Sequence, residues 1–228
     1  MSTATTKDEQ VLAVTPQQGF GGLLHNTHQQ IKRLGSTPIP GTDLSFKVLT
    51  SKEELETAFS LRYEVFCVEK GIADPGKYPN KMETDEYDDK SLHVAVLDEY
   101  EEIIAYARLV LPCDVFPIER TNTLPSCFKR NTAVESSRGL VVKDKRHSDV
   151  IWHLSNSIYA FCRDNGFEHI LSFSNSIMYN GYKKRDFPFE YVGEPVVFHG
   201  HKSFPLVIKV VHNNLDFTRK QQSLNTVH

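Results

Sequence analysis

The chain reads as an α/β sandwich with one mixed sheet at its centre, and three observations predict it. Short runs of alternating apolar residues recur along the chain with helical stretches between them. Two of these runs, 92–98 and 103–111, are separated only by the polar turn Glu99–Glu102 and so form a hairpin. Further on, an apolar strand, a helix and a second apolar strand follow one another over 133–174, the pattern of a crossing connection.

Taken in order, residues 1–16 are polar and Thr-rich. Gln17–Gly35 is weakly amphipathic through Phe20, Leu23, Leu24, Ile31 and Leu34 and is expected to pack as a helix. The same segment also fits a lid or a peripheral membrane contact, for which Lys32 and Arg33 supply little positive charge. Residues 36–42 read as a linker, and 44–49 alternate as the first strand. Ser51 and Glu54 have the spacing of a capping box, so a helix follows to about Lys70 and stops at Gly71. After the hairpin, 112–131 is an irregular crossover with Pro117 and Pro125. The strand Ala133–Val142 leads through a basic turn into a helix that ends near Asp164, before Asn165-Gly166. A strand over 168–174, a short helix over 175–184, and strands over 190–199 and 204–212 complete the order.

A chain of 228 residues with 39% hydrophobic and 24% charged residues describes a globular protein with a sizeable core. A net charge of −3 gives no nucleic-acid footprint. Cys67, Cys113, Cys127 and Cys162 lack metal or redox spacing and read as free thiols of a reducing compartment. No apolar run approaches the ~20 residues of a membrane helix, and no signal peptide is visible, so the expected location is the cytoplasm.

The central stretch, TAVESSRGLVVKDKR, carries Glu135 and Arg138 on one strand. Side chains alternate along a strand, so these two face opposite sides unless a bulge near Ser136-Ser137 or Gly139 reunites them. Arg62 and Phe66 lie one turn apart on the first helix, Asp85 and Asp88 are i and i+3 in a turn, and Arg108 stands in an otherwise apolar strand. Taken singly, Arg62 fits the solvated edge of a helix, Asp85 and Asp88 an acidic surface turn, and Glu135–Arg138 a structural ion pair. Arg108 resists such a reading, because an unpaired buried charge is costly. His93, His199 and His201 read as sheet residues. Together the arginines and carboxylates can wall a cleft for a zwitterion, with Glu135 taking a proton from an attacking amine.

The runs LRYEVF–EKG, METDEYDD–LHVAV, AYARLVLP and ESSRGLVV–KR occur in that order. The chain resembles the acyl-homoserine-lactone synthase and N-acyl amino acid synthase branch of the GNAT acyltransferases. It resembles still more the acyltransferases associated with PEP-CTERM/exosortase systems, which share the run RYxVFCxExGxxDPxxYPxxxExDExD. The resemblance spans 44–215, leaving 1–43 as an N-terminal extension and 216–228 as a tail. It implies a GNAT-like three-layer α/β/α sandwich whose mixed sheet is splayed beside the central strand, where a pantetheine arm pairs with the backbone. By this likeness Arg62, Asp85, Asp88, Arg108, Glu135 and Arg138 are the catalytic set. Phe66, Phe128, Leu140, Val141, Val142, Arg146 and Ser148 are the acyl-donor set, and the aromatics Phe116 and Phe128 in the irregular crossover predict an apolar tunnel lined by Phe66 and Phe128.

Two departures shape the expected substrates. Gly71-Ile72 stands where the lactone synthases carry a Trp, which argues against S-adenosylmethionine as acceptor. The turn Arg146-His147-Ser148-Asp149-Val150-Ile151 lacks both glycines of the GNAT pyrophosphate loop. A carrier protein brings one phosphate where CoA brings three, so the expected donor is a long-chain acyl thioester of acyl carrier protein ahead of CoA, and the acceptor an amino acid or similar small amine. No metal or other cofactor is implied. The alternatives are an autoinducer lactone synthase and, in another class, a non-catalytic GNAT-like domain that senses acyl thioesters or lipids.

Overall fold

The computed structural model describes residues 35–124, 128–198 and 201–211. The readings of 17–34 as a helix, of Cys127 and His199, and of the tail at 216–228 lie outside the described residues. Nine strands form one mixed sheet in the order β1-β2-β3-β4-β5-β6-β9-β7, with β8 on the β9 hairpin. They are β1 (Thr37–Pro38), β2 (Ser45–Leu49), β3 (Ser91–Leu97), β4 (Ile103–Val110), β5 (Ala133–Val141), β6 (His169–Asn175), β7 (Phe189–Tyr191), β8 (Val196–Phe198) and β9 (His201–Lys209). The helices are α1 (Lys52–Tyr63), α2 (Val150–Asp164) and α3 (Ser176–Lys184).

β2, β3, β4 and β5 are antiparallel neighbours, whereas β5 and β6, joined through α2, run parallel. This is the antiparallel opening followed by a crossing connection that the apolar pattern predicts. Two segments differ from the sequence reading. Residues 37–38, read as linker, pair with β2 as an edge strand. The run read as one strand over 190–199 divides into β7 and β8, both paired with β9. Pro195 between them has no N–H to give to a continuous ladder.

α1 begins at the expected capping box: Ser51 Oγ accepts the Glu54 amide at 3.2 Å and Glu54 Oε2 accepts the Ser51 amide at 3.1 Å. It does not run on as α-helix to Lys70, because residues Glu64–Glu69 widen into a π-helical turn before Gly71 at φ 60°. Such turns are frequent at functional sites.

The two faces of the sheet have different cores. On one, Val48, Val94, Ala107, Leu109 and Val134 pack with Leu154, Ile158 and Phe161 of α2 and with Tyr182 of α3. α3 reaches α2 at Gly181, where an added Cβ would stand 1.9 Å from the Trp152 ring. On the other face the apolar packing splits into two clusters, one under α1 around Tyr106 and Leu140, the other around Phe116, Ile118 and Leu171.

Candidate active site

β5 supplies the geometry. Tyr106 pairs with Leu140 and Arg108 with Ser137, so β5 carries one residue more than β4 over this interval. The extra residue is the bulge that reunites Glu135 with Arg138. It lies at Arg138-Gly139, with Arg138 at φ 55°, a left-handed conformation that costs a non-glycine residue about 1–2 kcal/mol. Arg108 Nε donates to Ser137 Oγ at 3.1 Å, which fixes Arg108, Ser137 and, by alternation, Glu135 on the face toward α1. The bulge turns Arg138 to the same face, where it donates to Glu83 and Asp85.

On that face one ionic network joins three arginines to three carboxylates. Arg62, fully buried, donates to Glu83 Oε2 and Asp88 Oδ1, each at 2.6 Å. Arg108 donates to Asp88 Oδ1 at 3.0 Å and forms an ion pair with Asp85. Arg138 binds Glu83 Oε1 at 3.0 Å and Asp85 Oδ2 at 2.8 Å. Burial opposes the charge on Asp85 and Asp88, but Arg108 and Arg138 beside the first, and Arg62 and Arg108 beside the second, hold both carboxyls below the ordinary value. Arg62 is therefore not the solvated edge of a helix, nor are Asp85 and Asp88 a surface turn. Arg138, with its side chain 34% exposed, is the most open member of the network, and Asp85 follows at 15%.

Sequence reasoning passed over three members. Glu83, 1% exposed, bridges Arg62 and Arg138, and its place in the acidic run METDEYDD was the available signal. His93 is more than a sheet residue: its Nε2 faces the Asp88 carbonyl at 3.3 Å and its Nδ1 the Tyr106 hydroxyl at 2.6 Å. Tyr106 in turn accepts a longer contact from Arg62 at 3.4 Å. Burial, with Arg62 and Arg108 adding to it, pushes His93 down to about 4, so the ring is neutral and donates from Nε2.

Glu135 stands beside this network without a hydrogen bond to it. The residue is 2% exposed, and its Oε2 accepts the Ile118 amide at 2.8 Å. Burial pushes its pKa up to about 7, against the pull of the Ile118 amide and Arg108. A carboxyl poised there exchanges a proton near neutrality. It also marks the point where the sheet parts: the β5–β6 ladder ends at Glu135↔Leu171 and Ser136↔Ser172, although β5 continues to Val141 and β6 to Asn175.

The residues expected to bind the donor are distributed unevenly. Leu140 is buried under α1, and Val141 and Val142 pack on the opposite core. Phe66 belongs to the α1 cluster and Phe128 to the Phe116 cluster, where it meets His169 at 5.2 Å between ring centres. Phe116, Ile118 and Leu124 of the crossover are buried as core, with Phe128 packed against them. Arg146 forms an ion pair with Glu69 and donates to the Val141 carbonyl at 3.0 Å, while Ser148 Oγ donates to the Lys145 carbonyl at 2.6 Å. Asp149 precedes α2 with its carboxylate 3.7 Å from Arg185. On the far side of the network a cavity of about 520 Å³ lies between α1 and β3, lined by Leu55, Phe59, Asp85, Asp88 and His93 among others. Neither Glu135 nor Arg138 lines it. Among the described residues no helix is long and apolar enough to cross a membrane.

Residues 61–156, which hold the whole ionic network and Glu135, match the acetyltransferase (GNAT) domain. Fold and matched domain agree: the chain has a GNAT-like α/β fold, and the matched stretch is similar to the acetyltransferase domain of that class. Its solved structural neighbours include acyl-homoserine lactone synthases. TofI, in a ternary complex with an inhibitor and MTA, is 19% identical, with 78% of this chain and 97% of that one covered at a TM-score of 0.64. The CoA-dependent synthase BjaI, with SAM and isopentyl-CoA, is 21% identical over 75% of this chain and 83% of that one at 0.61. LasI is 14% identical over 75% and 92% at 0.62. At these identities the likeness is one of fold. No curated protein sequence matches the chain.

Proposed function

We propose that this enzyme transfers a long acyl chain from a thioester, on acyl carrier protein in preference to CoA, to the amine of an amino acid or related small molecule. The observation that carries the reading is Glu135, a buried carboxyl poised near neutral pH at the point where β5 and β6 part. A thioester laid along β5 in that opening brings its carbonyl to Glu135. Glu135 takes a proton from the acceptor amine, directly or through a water, as nitrogen attacks the carbonyl carbon. Backbone donors of β5 stabilise the oxyanion, and its collapse breaks the C–S bond and releases the thiol. The exposed part of Arg138 suits a carboxylate on the acceptor, since its other edge is already held by Glu83 and Asp85. The apolar cluster of Phe116, Phe128 and Leu171, the last of which pairs with Glu135 across β5 and β6, forms the region that would part for an acyl chain. The acyl thioester is then the only activated reactant required.

A lactone synthase is the second reading, favoured by the structural likeness to TofI, BjaI and LasI. Gly71-Ile72 in place of a Trp weighs against it. The test is mass spectrometry of extracts from cells overproducing the chain, together with purified enzyme given acyl-carrier and acyl-CoA donors. N-acyl amino acids that vanish with Glu135→Gln support the proposal, and acyl-homoserine lactones establish the second reading. A chain that binds donor but forms neither product is a sensor.

A further inference from the structure

The crossover between β4 and β5 holds a second ion pair, separate from the buried network, that none of the chemistry above uses. Glu119 lies in the 3-10 turn Pro117–Arg120, and Arg130 lies in the turn that enters β5. Arg130 grips Glu119 with both arms of its guanidinium, Nη2 donating to Oε1 at 2.6 Å and Nη1 to Oε2. Glu119 Oε2 also accepts the Phe116 amide at 2.9 Å. A two-armed grip fixes orientation as well as distance. The next residue along, Ile118, sends its amide to Glu135. The two ties are therefore neighbours: residue 119 is fastened to 130, and residue 118 to 135. Phe116 and Ile118, 0% and 3% exposed, anchor the same turn from below.

We infer that Glu119 and Arg130 are positioning residues, a clamp that holds the Ile118 amide on the Glu135 carboxylate and so sets where Glu135 titrates. This rests on the reading of Glu135 as the base. A surface salt bridge would contribute little by itself. This one is different because Glu119 is only 13% exposed and the turn it fixes supplies the Ile118 amide that donates to the Glu135 carboxyl. The other charged or titratable groups that face Glu135 are Arg108 from β4, Arg138 from β5, and Glu119 and Cys113 from the crossover. None of these donates a hydrogen bond to it. Loss of an amide donor disfavours the carboxylate and raises its titration midpoint.

The test follows the Glu135 carboxyl directly, by 13C NMR of full-length protein labelled at glutamate side chains, with Glu135→Gln assigning the resonance. The expected midpoint lies near 7 in the wild type. Arg130→Met is expected to raise it by roughly one unit, and Arg130→Lys, which keeps the charge but not the fork, by less. The double variant Glu119→Gln/Arg130→Met leaves no unpaired charge and is expected to keep the raised midpoint. A return to the wild-type value in the double variant would mean charge alone, and an unmoved midpoint in Arg130→Met would mean a merely structural pair; either overturns the clamp. Should Arg130→Met fail to fold, the same comparison with Arg130→Lys decides. The acid limb of kcat/KM should move with the midpoint. If Glu135→Gln retains full turnover, the base assignment falls, while the NMR titration still judges the clamp.

Discussion

Replacing Arg62 with Met is the sharpest probe of the buried network. The side chain is fully buried and holds Glu83 and Asp88 at 2.6 Å each. Methionine fills much of the space but leaves each carboxylate with fewer partners: Glu83 keeps Arg138, and Asp88 keeps Arg108. Three positive and three negative groups become two and three, so one buried negative charge is uncompensated. Removing one partner of a buried pair typically costs about 3–5 kcal/mol, a large part of the roughly 5–15 kcal/mol that holds a domain folded. With a urea slope of about 2 kcal/mol per molar, the midpoint should fall by about 1.5–2.5 M. Arg138→Met, at a side chain 34% exposed, should cost distinctly less. The Arg62→Met penalty should also shrink on acidification. Asp88 has a depressed pKa, so its pairing stabilises the fold above the unfolded carboxyl value and is lost as pH falls through the folded one. Without Arg62, Asp88 protonates more readily and escapes the cost. Urea curves at pH 7 and pH 4 are the measurement. A shift below ~0.5 M at pH 7, or an equal shift for Arg138→Met, would refute the assignment of Arg62 as the buried centre of the network.

Glu135→Gln should abolish turnover yet stabilise the protein in alkaline buffer. The folded pKa of about 7 lies above the ordinary 4.5, so the wild-type contribution is full below 4.5 and lost as pH rises through 7, which amounts to about 3 kcal/mol by pH 8. Thermal melts at pH 5 and 8 check this, and a variant no more stable at pH 8 contradicts it. Asp149→Asn should improve turnover with acyl-CoA more than with acyl-carrier donors, because a carboxylate before α2 repels CoA phosphates even with Arg185 at 3.7 Å. Equal gains would refute the donor preference. Donors of two, eight and sixteen carbons at fixed acceptor test chain length, since each buried methylene contributes roughly 0.8 kcal/mol, and acetyl used as well as the long chains would make this a small-group enzyme.

The sequence alone determined the run of elements from β2 to α3, the hairpin, the capping box and the central acid-bearing strand, because each rests on local periodicity or on contacts a few residues apart. Arg108 was legible as unusual for the same reason: a charge in an apolar strand requires a partner wherever the strand lies. The tertiary structure decided what the partners are. Glu83 and Arg138 are 55 positions apart and meet only because a bulge reverses the side Arg138 faces. His93 met the Tyr106 hydroxyl once β3 and β4 paired, and Phe66 and Phe128 fell into different clusters when α1 and the crossover covered separate parts of one sheet face. Likewise the raised pKa of Glu135 is a property of the turn folded over it, since burial by Phe116 and Ile118 is set by packing that no local pattern encodes.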